Sequence, residues 1–311
     1  MLFRGLLSAY ALALSLTCAQ AQDIRVAVGS GGNLEAFVVE IGARAGIFEK
    51  NRIKPSVFYT SGGGETLQAL ISQSAQVGVA IGATGAFGAF AKGAPLRLIG
   101  SSVVGSPNYW YVPANSPIKT MKDIAGRKIA YSTAGSGTYA VAQLVRRSGV
   151  DAQLVATGNT PGTFTQVMTG QVDVGFAYPE FKQEALTSGE IRILFRDNDF
   201  DHIRNQSLRV IAVHTSMQGD FSERFMRAYA QSVDYILSGD QKPMEHYAEL
   251  LKTDLASAIK LRDQFWNRQI LAVEKVRGSD LIMQDAVEGK FLTKPLTKEE
   301  LDQLIAPHAR P

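Results

Sequence analysis

Cysteine is almost absent from this sequence, which has one cysteine, Cys18, among its 311 residues. Cys18 lies in an N-terminal segment where Arg4 precedes an apolar run from Leu6 to Leu16, followed by Ala19-Gln20-Ala21. This order of charge, apolar run and small residues is typical of a secretory signal peptide cleaved after Ala21. Removal of residues 1–21 leaves a chain without thiols, which excludes disulfides, thiolate metal sites and a cysteine nucleophile.

Long apolar runs are also missing. The run from Leu6 to Leu16 is shorter than the roughly 20 residues that span a bilayer, and no later stretch is better suited. We therefore expect the mature chain to be soluble. Two alternatives are a membrane anchor and a lipoprotein attached through Cys18, although Leu16 and Thr17 do not favour lipidation.

Neither sign of charge is in marked excess, with 32 Lys and Arg against 29 Asp and Glu and a net charge of +3. Proteins that bind nucleic acids or membrane surfaces need clustered cations. The Arg146-Arg147 pair is too short a cluster for that and fits a solvated helix face. We expect no nucleic-acid partner.

The motifs of familiar catalytic and metal sites are missing too. There is no H-E-x-x-H frame, no G-x-S-x-G elbow and no P-loop lysine. The histidines are far apart: His202, His214, His246 and His308. Gly135 to Ala140 formally fits a dinucleotide-binding G-x-G-x-x-A, but Asp151 precedes the next strand instead of ending it. The sequence therefore predicts no catalytic residues, no metal and no cofactor.

What the chain does contain is a regular alternation of strand-like and helix-like segments. Short apolar strands are predicted at "DIRVAVG", "KPSVFYT", "VGVAIG" and "LRLIGSSVV", with helices over 34–50, 64–74 and 82–93 between them. This alternation predicts an α/β fold built on doubly wound parallel sheets. Further on, the chain is predicted to be helical to near Trp266, and a capping box of Thr297 and Glu300 predicts a last helix.

One stretch occurs twice. "SGGGETLQALISQSAQVGVAIG" starts at Ser61, and "GNTPGTFTQVMTGQVDVGFAYP" starts at Gly158, with Thr163 in the place of Thr66 and Ala177 in the place of Ala80. Before the second copy, "AGRKIAYSTAGSG" repeats the pattern of "DIRVAVGSGG". We infer two similar α/β lobes whose strand ends face each other across a cleft, where ligands bind in such sheets.

Glycine-rich turns precede the predicted helices in both lobes. Glycines allow close approach to backbone N–H groups, and a helix N-terminus offers unpaired donors and a partial positive charge, so these turns predict an anion site. The alternative is that they are tight turns and helix caps only. The candidate ligand-binding residues are Ser30, Gly31, Gly32, Asn33, Gly63, Gly64, Gly82, Thr84, Ser132, Thr133 and Ser136.

Aromatic residues cluster near these turns. Because side chains alternate along a strand, we assign Asn108 and Tyr178 to the cleft and Trp110 and Tyr111 to the core. Glu180 follows Tyr178 and is also a candidate for ligand binding. Both it and Glu35 are placed to meet an ammonium group, or else to lie on the rim in water.

These features resemble the periplasmic solute-binding proteins of nitrate, sulfonate and taurine ABC importers, a group linked to binding proteins for thiamine-pyrimidine precursors. The resemblance spans 24–292 and rests on "AGIFEKNRIKPSVFYTSGGGETLQALISQSAQVGVAIGATG", "IKTMKDIAGRKIAYSTAGSGTY" and "GQVDVGFAYPE". It departs from the family at Tyr178-Pro179, where members often have Trp-Pro.

The resemblance implies a type II periplasmic binding fold with a two-segment hinge. Lobe 1 would comprise 23–103 and 209–311, and lobe 2 would comprise 104–208. It implies a periplasmic monomer that captures a small organic anion, a sulfonate or carboxylate, and docks on a membrane permease and its ATPase. A neutral pyrimidine is an alternative ligand. Alternative roles are a receptor for an ATP-independent importer, an enzyme on the same scaffold, or a sensory module.

Overall fold

A computed structural model describes residues 21–311, so nearly all of the predicted signal peptide lies outside the described residues. The strands are β1 Gln22–Gly29, β2 Ile53–Thr60, β3 Val77–Gly82, β4 Leu96–Val103, β5 Tyr109–Pro113, β6 Lys128–Tyr131, β7 Gln153–Ala156, β8 Gly175–Ala177, β9 Ile191–Arg196 and β10 Arg209–His214. The helices are α1 Leu34–Arg44, α2 Ile47–Lys50, α3 Gly63–Ile71, α4 Ala83–Ala91, α5 Gly137–Arg147, α6 Thr160–Met168, α7 Gln183–Thr187, α8 Asp201–Arg204, α9 Asp220–Ile236, α10 Lys242–Leu251, α11 Leu255–Phe265, α12 Ser279–Glu288 and α13 Lys298–Leu304.

Glycines and capping residues determine where several helices begin and end. The helix predicted over 34–50 is divided into α1 and α2, because Gly46 adopts a left-handed backbone with φ of 70°. The predicted capping box is confirmed at α13, where the Thr297 side chain accepts from the Glu300 N–H and Glu300 accepts from the Thr297 N–H. Of the described helices, none combines the length and the apolar character needed to cross a membrane.

The first sheet has the strand order β2-β1-β3-β10-β4. Strand β1 is parallel to both β2 and β3, whereas β10 is antiparallel to β3 and β4. The expectation of a wholly parallel sheet is therefore wrong for one strand. β10 comes from much later in the chain and enters between β3 and β4 from the opposite end.

The second sheet is assembled from two ladders, one with the order β8-β5-β9 and the other formed by β6 and β7. Strands β6 and β7 are parallel, and β5 is antiparallel to β8 and β9. A parallel bridge between Ile129 and Val174 joins β6 to the residue before β8. β5 thus takes the place that β10 has in the first sheet, and the duplication predicted from the sequence is confirmed in the topology.

Side-chain contacts repeat along with the strands. The Thr66 hydroxyl lies 2.8 Å from that of Thr60 and donates to the Gly62 carbonyl at 3.2 Å. In the second copy, the Thr163 hydroxyl lies 2.6 Å from that of Thr157 and donates to the Asn159 carbonyl at 3.0 Å. Both copies therefore fasten the first helical turn to a strand end by the same bonds.

Each sheet has its own hydrophobic core. One cluster takes its residues from 24–103 and 210–309, and the other takes them from 109–208. We call the two units lobe 1 and lobe 2. Trp110 and Tyr111 are fully buried in lobe 2, which confirms their assignment to the core.

Two crossover segments link the lobes, and they are bonded to each other. The crossovers lie near 101–104 and 205–210. The Gly105 N–H donates to the Gln206 carbonyl at 2.9 Å, which joins the two, while the Ser106 N–H donates to Asn198 Oδ1 of lobe 2 at 2.9 Å. These contacts support the two-segment hinge predicted from the sequence, whose bounds as moving units stay a prediction.

Candidate ligand-binding cleft

A small cavity lies between the lobes, where β1 and β6 end at Gly29 and Tyr131. Its volume is about 30 Å³, far below the roughly 300–1,000 Å³ of typical ligand pockets. The lining residues are Gly29, Ser30, Asn33, Glu35, Gly63, Ala80, Asn108, Ser132, Ser136, Thr138, Phe176, Tyr178 and Arg209. Larger hollows of about 680 and 720 Å³ also lie between the lobes, one beside 139–151 and 288–290 and the other beside 180–184 and 251–264. The described lobes are thus closed on each other around a narrow polar space.

A buried ion pair forms one wall of the cavity. Arg209 Nη2 lies 2.8 Å from Glu35 Oε2, and Arg209 Nε donates to both Glu35 oxygens at 2.9 and 3.1 Å. Ser102 donates to Glu35 Oε1 at 2.6 Å. Burial works against the charge of Arg209, but the carboxylates of Glu35 and Asp197 outweigh it and raise the pKa of Arg209. The guanidinium is therefore charged at any physiological pH.

Arg209 also reaches the opposite lobe. A Cβ at Gly137, the first residue of α5, would lie 3.3 Å from Arg209 Nη1. Within residues 21–311, Nη1 has no hydrogen-bond partner. It is therefore a donor available to a ligand at the junction of the two lobes.

A chain of hydroxyl groups forms the facing wall at the start of α5. Thr138 Oγ1 donates to Ser132 Oγ at 3.1 Å and lies 3.0 Å from Ser136 Oγ. Ser136 caps α5 by accepting from the Tyr139 N–H at 3.1 Å. Asn108 Oδ1 is buried and has no hydrogen-bond partner among the described residues. Buried polar atoms are rarely left unpaired, and Asn108 is a residue of the cavity lining.

Tyr178 closes one end of the cavity beside Phe176. Burial raises the pKa of Tyr178, while the nearby hydroxyls of Ser30 and Thr160 work in the other direction. Thr160 Oγ1 is itself buried and has no partner within the described chain. Of these hydroxyl groups, those of Ser30 and Tyr178 lie at the cavity, whereas Thr160 lies outside its lining.

Other glycine turns of lobe 1 contact lobe 2 directly. The Gly64 N–H donates to Thr133 Oγ1 at 3.2 Å, and the Gly135 carbonyl accepts from Thr84 Oγ1 at 3.2 Å and from the Gly85 N–H at 3.3 Å. A Cβ at Gly82 would lie 1.9 Å from the Gly135 oxygen. A side chain at Gly82 is therefore excluded by the backbone of the other lobe.

Glu180 crosses from lobe 2 to lobe 1. Its Oε1 accepts from the Leu34 N–H at 3.0 Å, from Tyr247 Oη at 2.6 Å and from Trp266 Nε1 at 2.7 Å. Its Oε2 is buried without a partner among the described residues. Burial raises the pKa of Glu180, against the lowering effect of these hydrogen bonds.

The residues predicted for the site fall into two groups. Those that line the cavity are Ser30, Asn33, Gly63, Asn108, Ser132, Ser136 and Tyr178. Those that lie outside its lining are Gly31, Gly32, Gly64, Gly82, Thr84, Thr133 and Glu180. Lobe-to-lobe contacts account for most of the second group, while Gly31 packs on Tyr59 of its own lobe.

The sequence prediction missed Arg209. A charged residue at the head of the apolar strand "RVIAVH" is the one signal that was available. Its partner Glu35 is 174 positions away, a separation at which no spacing rule pairs two residues. Phe176 and Thr138 were also missed, although both lie within stretches that the sequence singled out.

Solved structures show where this fold occurs. The periplasmic aliphatic sulphonate-binding protein of Escherichia coli is 20% identical, with 93% of each chain covered and a TM-score of 0.68. The alkanesulfonate-binding protein of Xanthomonas axonopodis pv. citri, solved with MOPS, is 16% identical, with 86% of this chain and 90% of that chain covered and a TM-score of 0.68. A desulfurization enzyme is 15% identical, with coverages of 91% and 96% and a TM-score of 0.59. The fold is that of periplasmic binding proteins.

Sequence comparison gives a more specific result. No curated protein sequence matches the chain significantly. Residues 41–242, more than half of the chain, match the model of the family described as NMT1/THI5 like. The matched range includes both copies of the internal repeat and the Glu180 and Arg209 positions. The chain therefore belongs to the NMT1/THI5-like family.

Proposed function

We propose that this protein is the periplasmic substrate-binding component of an ABC importer and captures a small organic anion of the sulfonate or carboxylate class between its lobes. The observation that carries the proposal is a cavity at matching strand ends of two duplicated lobes, lined from both sides by donors. The sulfonate-binding neighbours support this role. Cleavage after Ala21 would release the chain as a monomer into the periplasm.

The donors favour an anion even though Glu35 already neutralises Arg209. Arg209 Nη1 and the Ser132–Thr138–Ser136 hydroxyl chain lie at the cavity, whereas the Ser30 hydroxyl already donates to the Ser61 carbonyl. Neutral donors and a shared cation bind an anion without leaving a charge buried and unpaired when the site is empty.

Capture would proceed by hinge closure. The ligand bonds to both lobes, so it favours the closed form by its difference in affinity for the two forms. A ligand of several non-hydrogen atoms needs more than the 30 Å³ of this cavity, so the bound lobes would stand slightly further apart. The closed form would then dock on a membrane permease and its ATPase.

A ligand panel tests the proposal. We expect sulfonates or carboxylates to raise the melting temperature, because a ligand that binds only the folded state stabilises it by mass action. If neutral heterocycles raise the melting temperature and no sulfonate or carboxylate does, the anion assignment is wrong.

A matched pair of variants then locates the site. We expect Ser132→Ala to weaken binding of the identified anion by about tenfold or more, the effect of losing one hydrogen bond to a charged group. Ser188→Ala, an exposed serine of the same lobe, should leave affinity unchanged. Equal affinity for both variants in calorimetry would place the ligand elsewhere.

The enzyme alternative has less support. The desulfurization enzyme among the neighbours shares the fold, but fold alone does not carry an activity. Both oxygens of the Glu35 carboxylate accept from Arg209 and one also accepts from Ser102, so this carboxylate is engaged in an ion pair within the protein. Conversion of a panel compound, measured by mass spectrometry, would favour the enzyme.

A further inference from the structure

Lobe 2 places an acceptor at the start of each of three lobe 1 helices. Glu180 Oε1 accepts from the Leu34 N–H at the first residue of α1. Thr133 Oγ1 accepts from the Gly64 N–H in α3, and the Gly135 carbonyl accepts from the Gly85 N–H in α4. Helix N-termini have unpaired N–H groups and a partial positive charge. In the closed protein, acceptors of lobe 2 therefore bond some of the unpaired N–H groups of the lobe 1 helices.

Glu180 makes the most extensive of these contacts. Three donors from separate parts of lobe 1 meet at one oxygen of its carboxylate: the Leu34 N–H, the Tyr247 hydroxyl and the Trp266 indole. Tyr247 is fully buried and Trp266 is 3% exposed. If Glu180 moved away with lobe 2, these donors would lose a shared acceptor, and burial would keep water from fully replacing it.

From this geometry we infer that Glu180 is a positioning residue that latches the two lobes together without contacting ligand. The latch depends on the acceptor oxygen more than on the charge, because Oε2 has no partner among the described residues and burial of the charge is itself costly. A closed form held by internal bonds is populated before ligand arrives. A ligand that fits within this closed form gains apparent affinity from the latch, whereas a ligand that holds the lobes further apart competes with it.

The latch is tested in the absence of ligand, so its outcome is separate from that of the proposed function. In a Cys18→Ser background, Ser74→Cys and Gln171→Cys supply one label site on each lobe, at exposed and equivalent positions of the repeat. Single-molecule energy transfer between the two labels then reports the closed-to-open ratio of the free protein.

Three substitutions at Glu180 and its partner separate acceptor from charge. Glu180→Met keeps the volume but removes the acceptor, and we expect the closed-to-open ratio to fall by about tenfold or more. Glu180→Gln keeps an acceptor oxygen, and the ratio should stay within about threefold of the wild type. Tyr247→Phe removes one donor and should lower the ratio in the wild type but not in the Glu180→Met background.

Controls keep the test decisive. Glu184→Met alters an exposed glutamate nearby and should leave the ratio unchanged, and circular dichroism melts confirm that each variant folds. The inference is overturned if Glu180→Met closes like the wild type, if Glu184→Met opens the protein equally, or if the free wild-type protein has no detectable closed population.

Discussion

Asp197 is a buried carboxyl group whose ionisation destabilises the folded protein. It is 0% exposed, and Trp110 Nε1 donates to its Oδ1 at 2.6 Å. Its Oδ2 has no partner within residues 21–311. Burial raises the pKa of Asp197 from 3.8 to about 6, against the hydrogen bonds from Trp110 and Ser106. The folded protein therefore holds this proton more tightly than the unfolded chain does.

The sign of the pH dependence follows. Below pH 3.8 both states are protonated, and as the pH rises through 6 the folded state must accept a buried charge. We expect Asp197 to cost about 2 kcal/mol at pH 7 relative to pH 4, at about 1.4 kcal/mol per pKa unit and with the unfolded carboxyl already more than half ionised at pH 4. Asp197→Asn should remove this dependence, so its gain in unfolding free energy over the wild type is larger at pH 7 than at pH 4.

Urea unfolding at a series of pH values measures this difference. Asp201→Asn, an exposed aspartate at the start of α8, is the control and should track the wild type at every pH. A constant offset between Asp197→Asn and the wild type across the series would contradict the assignment.

Individual residues also show how much of the cavity lining can be predicted from the sequence. Asn108, Ser132 and Tyr178 were predicted because each follows or flanks a recognisable strand, and all three line the cavity. Arg209 was not found, because its role depends on Glu35 and on the arrival of β10 beside β4. Local patterns specify which face a side chain takes, whereas pairing across the fold is decided by packing of segments far apart in the chain.

At the scale of secondary structure, the repeat is the most informative feature. Thr66 and Thr163 are both 0% exposed and make equivalent bonds to a strand-end threonine and to a carbonyl. Thr66→Val and Thr163→Val should each lower the free energy of unfolding by about 1–3 kcal/mol, because each leaves buried groups unpaired. Urea unfolding of the two variants measures the effect.

The double variant and an exposed threonine complete that test. Because the two sites share no partner, their effects should add to within about 0.5 kcal/mol if the lobes unfold together. Thr187→Val in α7 is exposed and should have little effect. A large loss in one lobe and none in the other would contradict the structural equivalence.

The order of strands and helices was predictable because apolar periodicity and glycine turns are local. The antiparallel insertion of β10 was not, since the pairing of Val210 with Ile81 and with Ser101 joins segments from both ends of the chain. The glycine turns illustrate the same limit. Their sequence indicates that something approaches closely, but not whether it is a ligand or the opposite lobe.

At the scale of the whole molecule, closure depends on backbone contact at Gly82. Its φ of −62° suits alanine, so lobe 1 should fold normally in Gly82→Ala. The added methyl would lie 1.9 Å from the Gly135 oxygen, which forces the lobes apart. We expect a larger radius of gyration by small-angle scattering and ligand binding weakened by about tenfold or more.

Gly31→Ala is the matched control for Gly82→Ala. A methyl at Gly31 would meet the Tyr59 side chain in its own lobe, at 3.1 Å. It should leave both the scattering profile and the affinity close to those of the wild type. A Gly82→Ala protein as compact as the wild type would show that closure does not bring these backbones together.

The paired crossover segments have a consequence for how such motion is observed. Two chains held side by side by the Gly105–Gln206 bond should twist less readily than they bend. We expect rotation about a single axis, so that every distance across the gap varies as a function of one angle. Probes placed at different heights along the rim would trace the same trajectory, each scaled by its own lever arm.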